Sequence, residues 1–283
     1  MLAPQSLAGS LPFIKFSDEQ GLTGNEVITM MQDSYGYLWI GTSVGLSRYD
    51  GYQFTNFRHD PDNDNSLSAD KIWALFEDAD GIIWIGTEFG GLNRYDPATG
   101  KFSAYKHNPA DPNSISHNYI RKIVAAGEDQ LWVATSGGGL NLLDAKTGQF
   151  ERFVHDPNDE RSIVDNFIRA LQPDLHGGLW IGTRFNGLDY LNPQRTQFTH
   201  YNQQNNPTMP TNMVQALALD EQAGKMWVGT WDAGLSAFDL KTKEWQHWRQ
   251  GSGERNSYYP KSIVSLTLTP QKQLWIGSVN GGL

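Results

Sequence analysis

A tryptophan recurs along this chain at a nearly fixed interval. Trp39, Trp84, Trp132, Trp180, Trp227 and Trp275 lie 45, 48, 48, 47 and 48 residues apart. Each sits in a version of one phrase: "YLWIGTSVGLSRYD", "IIWIGTEFGGLNRYD", "QLWVATSGGGLNLLD", "GLWIGTRFNGLDYLN", "KMWVGTWDAGLSAFD" and "QLWIGSVNGGL". A period of roughly 40–50 residues made of short segments is the signature of a β-propeller, whose blades are four-stranded sheets. The spacing therefore predicts an all-β propeller with six visible blades, the sixth incomplete because its phrase stops at Leu283. Residues 11–283 make up the propeller domain, and residues 1–10 read as a flexible N-terminal segment.

Each repeat divides into four strands. Strand a is a short apolar stretch such as "KIWALFED". A turn such as "DADG" reverses the chain with Asp and Gly. Strand b carries the tryptophan, strand c is the "GGLNRYD" stretch, and strand d follows a second turn such as "DPATGK". Strand d holds two aromatics three residues apart: Phe54/Phe57, Phe102/Tyr105, Phe150/Phe153, Phe198/Tyr201 and Trp245/Trp248. Positions i and i+3 of a strand face opposite sides of its sheet, so one ring meets the preceding blade and the other the next. The tryptophans are structural by the same logic, because every blade must bury both faces against its neighbours. Phe13 and Phe16 form one more such pair, ahead of the first repeat. They read as an orphan strand d serving as the outer strand of the last blade, or following a further blade placed beyond Leu283.

Composition removes several function classes. A net charge of -9 argues against nucleic acid, which requires a basic face. The absence of cysteine removes disulfides, thiolate nucleophiles and cysteine metal sites. No apolar run approaches the roughly 18 residues of a membrane helix, so no membrane contact is expected of this segment.

The consensus D-x-x-G-x-L-W-I-G-T-x-x-G-G-L-x-R-Y-D resembles the two-component regulator propeller repeat. Residues 78–96 carry it most completely, and residues 33–50 lack one glycine. The loops "NSLSADKI", "NSISHNYI" and "RSIVDNFI" are similar to the lead-in S-L-x-x-N-x-I of that family, whereas residues 131–144 and 226–239 depart from the closing R-Y-D. The resemblance implies a ligand-sensing or assembly propeller from the periplasmic input region of an inner-membrane signalling protein. A histidine kinase or diguanylate cyclase would lie downstream, this chain would be a fragment of the longer sensor, and the intact receptor would form a homodimer. An oligosaccharide is the ligand class the resemblance suggests. The rival readings are a propeller lyase or glycan hydrolase acting at the channel mouth, and a protein-interaction scaffold without a small ligand.

No catalytic residue, metal site or cofactor is expected. His59, His107 and His155 recur at 48-residue steps on different blades, which suits a repeated loop hydrogen bond and not a shared metal. Asp60, Asp62 and Asp64 mimic the start of a calcium loop, but Asn65 and Lys71 stand where Gly and Glu belong. Variation among the repeats points elsewhere. The turns between strands b and c and the loops from d to the next a open on one face, around the channel. Their differing residues are the candidate ligand site: Glu88, Phe89, Arg184, Phe185, Asn186, Trp231 and Asp232 from the first set, and His117, Tyr119, Asn166, Arg169, Tyr258 and Tyr259 from the second.

Overall fold

In a computed structural model, residues 14–248 and 260–279 are described. They form five antiparallel four-stranded sheets in simple a-b-c-d order, at residues 27–57, 72–105, 120–153, 168–201 and 214–248, followed by a two-stranded sheet at 263–278. These are blades 1 to 6. Strand a of each blade packs on strand a of the next, from blade 1 through to blade 6.

The recurring phrase builds this frame by four local devices. First, the aspartate of the a–b turn orders both turn and tryptophan. Asp78 Oδ1 accepts from the amides of Asp80 and Ile82, while its Oδ2 accepts the Trp84 indole N–H at 2.7 Å. Asp33 does the same for Trp39 at 2.8 Å. Second, the strand-b threonine clamps the b–c turn: Thr42, Thr87, Thr135, Thr183 and Thr230 each donate to a glycine carbonyl at 2.8–2.9 Å. Third, the strand-b glycine admits the next blade. A Cβ at Gly86 would stand 2.7 Å from Ile120 Cγ2, and one at Gly182 2.5 Å from Val214 Cγ1. Blade 3 carries Ala134 in the same place, so the approach there differs by one methyl group.

The fourth device is an aromatic wall between blades. Trp39 stacks on Phe57 of its own blade, and both rings meet Tyr95 of blade 2, where Phe57 also meets Phe102. The arrangement recurs as Tyr105 on Phe150, Phe153 on Phe198, and Tyr201 on Phe238. The second aromatic of strand d in blades 1 to 4 thus faces forward, and the first in blades 2 to 4 faces back, as the i, i+3 spacing predicts. Centroid separations of 4.6–6.1 Å in tilted or edge geometry suit the ring quadrupoles.

The wall is not uniform. Trp39, Trp84, Trp132 and Trp180 are at most 4% exposed, but Trp227 is only half-buried and Trp275 is 51% exposed, against the expectation that all six are buried anchors. Val27 is 44% exposed, whereas Ile72, Ile120, Ile168, Val214 and Ile263, which hold the same place in strand a, are 0% exposed. Each of those five is covered by a preceding blade. Among the described residues nothing comparable covers Val27 or Trp275, and no packing like that between neighbours joins blade 6 to blade 1. The described ring is open at that point.

Phe16 stands in the gap. It lies 5.1 Å from Tyr49 and 5.6 Å from Phe54, reproducing the contacts of Phe57 with Tyr95 and Phe102. Phe16 therefore holds the position of a forward-facing strand-d aromatic, as its spacing predicts. Residues 14–17 make no ladder among the described residues, so the expected outer strand is seen here as a packed ring and not as a paired strand. Phe13 lies outside the described residues.

Candidate functional site

The b–c turns and d–a loops do open on one face, and backbone hydrogen bonds weld them together. The Glu88 amide donates to the Lys71 carbonyl in the same blade, and Gly91 donates to Asn118 on the way into the next. In blade 3, Ser136 donates to Tyr119 while Gly137 and Gly139 donate to Asn166. The mouth of the channel is thus a stiff ring of loops.

Several recurring polar residues belong to that ring and not to a ligand. His59, His107 and His155 each place Nδ1 against a loop carbonyl, of Leu67, Ile115 and Ile163, at 2.6–2.8 Å. The amides of His107 and His155 donate to the side-chain oxygens of Asn118 and Asn166. Asn166 was a candidate from its loop position; the structure occupies its carbonyl and amide oxygen with framework bonds. Asp60 Oδ1 accepts from the Asp62 amide, in a loop closed by Ser66 donating to the Asp60 carbonyl, and the same pattern recurs at Asn108 and Asp156. Ser47, Asn93, Asn141, Asp189 and Ser236 form a buried polar row on strand c. In blade 4 this row carries a charge: Asp189 meets His200 Nδ1 at 2.7 Å. That hydrogen bond raises the His200 pKa, while burial raises that of Asp189.

The remaining described candidates lie on the b–c turns, on the d–a loops or, for Arg169, on strand a. Phe89, Phe185 and Trp231 are 67%, 46% and 44% exposed, unusual for large apolar side chains on a rigid frame. Phe89 also holds φ 64°, the left-handed region that blade 3 fills with Gly137 at φ 119°. A bulky residue in that region is strained, and such strain persists where a site needs the side chain. Phe89 packs edge-on against Tyr119 at 5.2 Å, and Tyr119 lies 5.9 Å from Trp73. Phe185 packs on Phe167 and carries the Arg184 guanidinium 4.8 Å above its ring. Glu88 pairs with Lys71 at 2.9 Å. The His117 imidazole accepts from the Tyr119 amide at 3.1 Å, and burial with the nearby His107 lowers its pKa. Asn186 and Asp232 are respectively exposed and exposed on their turns, while Tyr258 and Tyr259 lie outside the described residues.

Strand a adds Trp73 and Arg121, which sequence reading had not singled out, and it also carries Arg169, which was expected on a d–a loop. In all six blades its pairing with strand b skips one residue, a bulge at Ile28, Trp73, Arg121, Arg169, Gln215 and Val264. A bulge re-aims its side chain out of the regular alternation. Trp73 and Arg121 meet face to face, guanidinium over ring at 3.8 Å. Burial, then Arg121 and Arg184, push the Arg169 guanidinium down to about 10, so it stays charged at neutral pH. The signal available in sequence was the aligned series Ile, Trp, Arg, Arg, Gln, Val one residue after an invariantly apolar position.

Comparison with known proteins now fits this geometry. Residues 21–44 and 66–89 match the family described as two component regulator propeller. A 56-residue stretch is 39% identical to histidine kinase P4 of Formosa agariphila, covering 20% of this chain and 4% of that protein. The fold superposes with a TM-score of 0.80, at 27% identity, on the extracellular domain of a putative hybrid two component system from B. thetaiotaomicron, over 95% of this chain and 34% of that one. The extracellular domain of a putative one component system from the same organism gives 0.71 at 24%, over 91% and 34%. Virginiamycin B lyase from Staphylococcus aureus gives 0.61 at 12% identity, over 90% and 85%, a likeness of fold alone. The chain spans about a third of the extracellular domains it matches and far less of the histidine kinase. Among the described residues no helix is long and apolar enough to cross a membrane. Two stretches of the chain thus match the two-component regulator propeller repeat, and the solved structures it resembles include extracellular domains of two component systems.

Proposed function

We propose that this propeller is a ligand-sensing module of the periplasmic input region of a signalling protein, and that its ligand is a carbohydrate. The observation that carries the reading is the contrast at the mouth. Five b–c turns share one hydrogen-bonded frame yet present different side chains. Among these side chains are three exposed aromatics, one of which, Phe89, is held in a conformation that favours glycine. Flat apolar rings beside fixed charges suit a sugar, whose axial hydrogens stack on rings while its hydroxyls take directional bonds. Binding would act on the rest of a receptor by favouring one arrangement of neighbouring domains or of a dimer. The likeness to extracellular domains of two component systems supports this reading.

The test is a thermal-shift screen against neutral and acidic oligosaccharides. A ligand of the native state raises the melting temperature in a saturable way. Stabilisation by one glycan class, lost in Phe89→Ala and Phe185→Ala proteins that melt normally without ligand, is the expected result. Stabilisation that survives both substitutions would place the site away from the mouth.

A further inference from the structure

Among the described residues five buried side-chain donors have no hydrogen-bond partner, and three of them come from strand a at the mouth: Trp73 Nε1, Arg121 Nε and Arg169 Nε. A buried unpaired donor is costly, and more so when it is charged, so each needs an explanation. The three come from corresponding positions of strand a on three consecutive blades. They are also short of negative charge. No carboxylate lies within 4.0 Å of Arg121, Arg169 or Arg184 among the described residues, although the chain as a whole carries a net charge of -9. Nearby acids are committed elsewhere. Glu88 is held by Lys71, and both carboxylate oxygens of Asp165 accept backbone amides, of Phe167 and Phe185. Arg121 makes a single long bond, Nη1 to the Tyr119 hydroxyl at 3.3 Å.

Stability alone does not account for such a group. Repulsion among guanidiniums and lost hydration both oppose folding, and neutral side chains fill the same places in blades 1, 5 and 6 as Ile28, Gln215 and Val264. An anion would reverse each cost, since guanidinium N–H groups bond to oxyanions in charge-assisted pairs. We propose that Trp73, Arg121 and Arg169 form a subsite for the oxyanion of an acidic sugar, a carboxylate or a sulfate ester, with Phe89 and Phe185 flanking the sugar ring. This rests on the sensing role above and narrows its ligand to a charged glycan.

The experiment measures binding to wild-type protein by calorimetry for four probes. These are trigalacturonate, its methyl ester, a sulfated galactose disaccharide and inorganic sulfate at constant ionic strength. At least one acidic sugar is expected to bind 10-fold or more tighter than the neutral ester. Arg169→Met and Arg121→Met should abolish that preference. Trp73→Phe, which keeps the ring but removes the indole N–H, should weaken it several-fold. Each variant is first melted without ligand, and Arg169→Met should melt at or above the wild-type temperature, because an unpaired charge has been removed. Should Arg121→Met unfold, Arg121→Lys takes its place and is expected to lose most of the preference. Which acidic sugar wins distinguishes carboxylate from sulfate. Equal binding of the acid and its ester, or a preference that survives both arginine substitutions, overturns the subsite while leaving the sensing role intact. Stabilisation by inorganic sulfate with no binding of either sugar overturns the sugar assignment and the carbohydrate reading with it.

Discussion

The wall between blades and the rim of the channel are built from the same six repeats, yet they obey opposite rules. Along the wall the residue type hardly changes. Trp84 and Tyr105 of blade 2 face Phe150 of blade 3, just as Trp180 and Tyr201 of blade 4 face Phe238 of blade 5. Along the rim nearly every blade differs, from Ile28 through Trp73, Arg121 and Arg169 to Gln215. Close packing explains the first, because each interface must fill the same space with few voids. The rim lies outside those blade-to-blade interfaces and its side chains are only half-buried, so packing constrains them less and they are free to answer to a ligand. Burial and repetition go together, and so do exposure and individuality.

That contrast predicts where a substitution damages the fold. Trp84→Ala should cost about 3–5 kcal/mol of unfolding free energy, read by urea denaturation, as for other buried tryptophans. Trp275→Ala should cost under about 1 kcal/mol, since half of that side chain already meets solvent. Equal losses would mean that Trp275 is covered in solution. Asp78→Ala should cost about 1–3 kcal/mol by leaving the Trp84 indole N–H and two turn amides without their acceptor. Gly86→Ala is expected to cost roughly 1–3 kcal/mol through its 2.7 Å approach to Ile120, in a place where blade 3 tolerates Ala134.

Rim substitutions should leave stability nearly unmoved. Phe89→Gly relieves a left-handed phenylalanine, so its stability should be unchanged or higher by up to about 1 kcal/mol, while carbohydrate binding falls. A loss of stability on that change would make Phe89 part of the frame. The smallest effect concerns pH. His200 has a folded pKa raised by Asp189, so its contribution is fully present below the unfolded value of 6.5 and fades as pH rises through the folded value. Burial raises Asp189 as well, which has the same sign at lower pH. Unfolding free energy should therefore decline on this account from about pH 6.5 upward, and His200→Gln should flatten the slope.

The wall was legible in sequence because it repeats. Six copies of one phrase fix the blade, the i, i+3 aromatics fix which ring faces which neighbour, and even Phe16 takes the contacts its spacing implies. Recurrence at 48-residue steps also identified His59, His107 and His155 as framework. The rim was half legible. Variation in the b–c turns drew attention to Phe89, Arg184, Phe185 and Trp231, but Trp73 and Arg121 escaped it. A bulge changes which residue of strand a turns out of the sheet, and alternation alone does not reveal it. Asn166 sits at the mouth as well, and its side chain accepts the His155 amide, a bond invisible without coordinates. The exposure of Trp275 and Val27 also lay beyond reach, because every copy of the phrase looks alike whether or not a neighbour covers it.

The claim that blades build and the rim binds is tested most directly by hydrogen–deuterium exchange with and without a glycan selected by the stabilisation screen. The account predicts new protection confined to the b–c turns and d–a loops of blades 2 to 4, around Phe89, Tyr119 and Phe185, with the outer strands unchanged. Protection centred on the outer strands or on the open faces of blades 1 and 6 would contradict it.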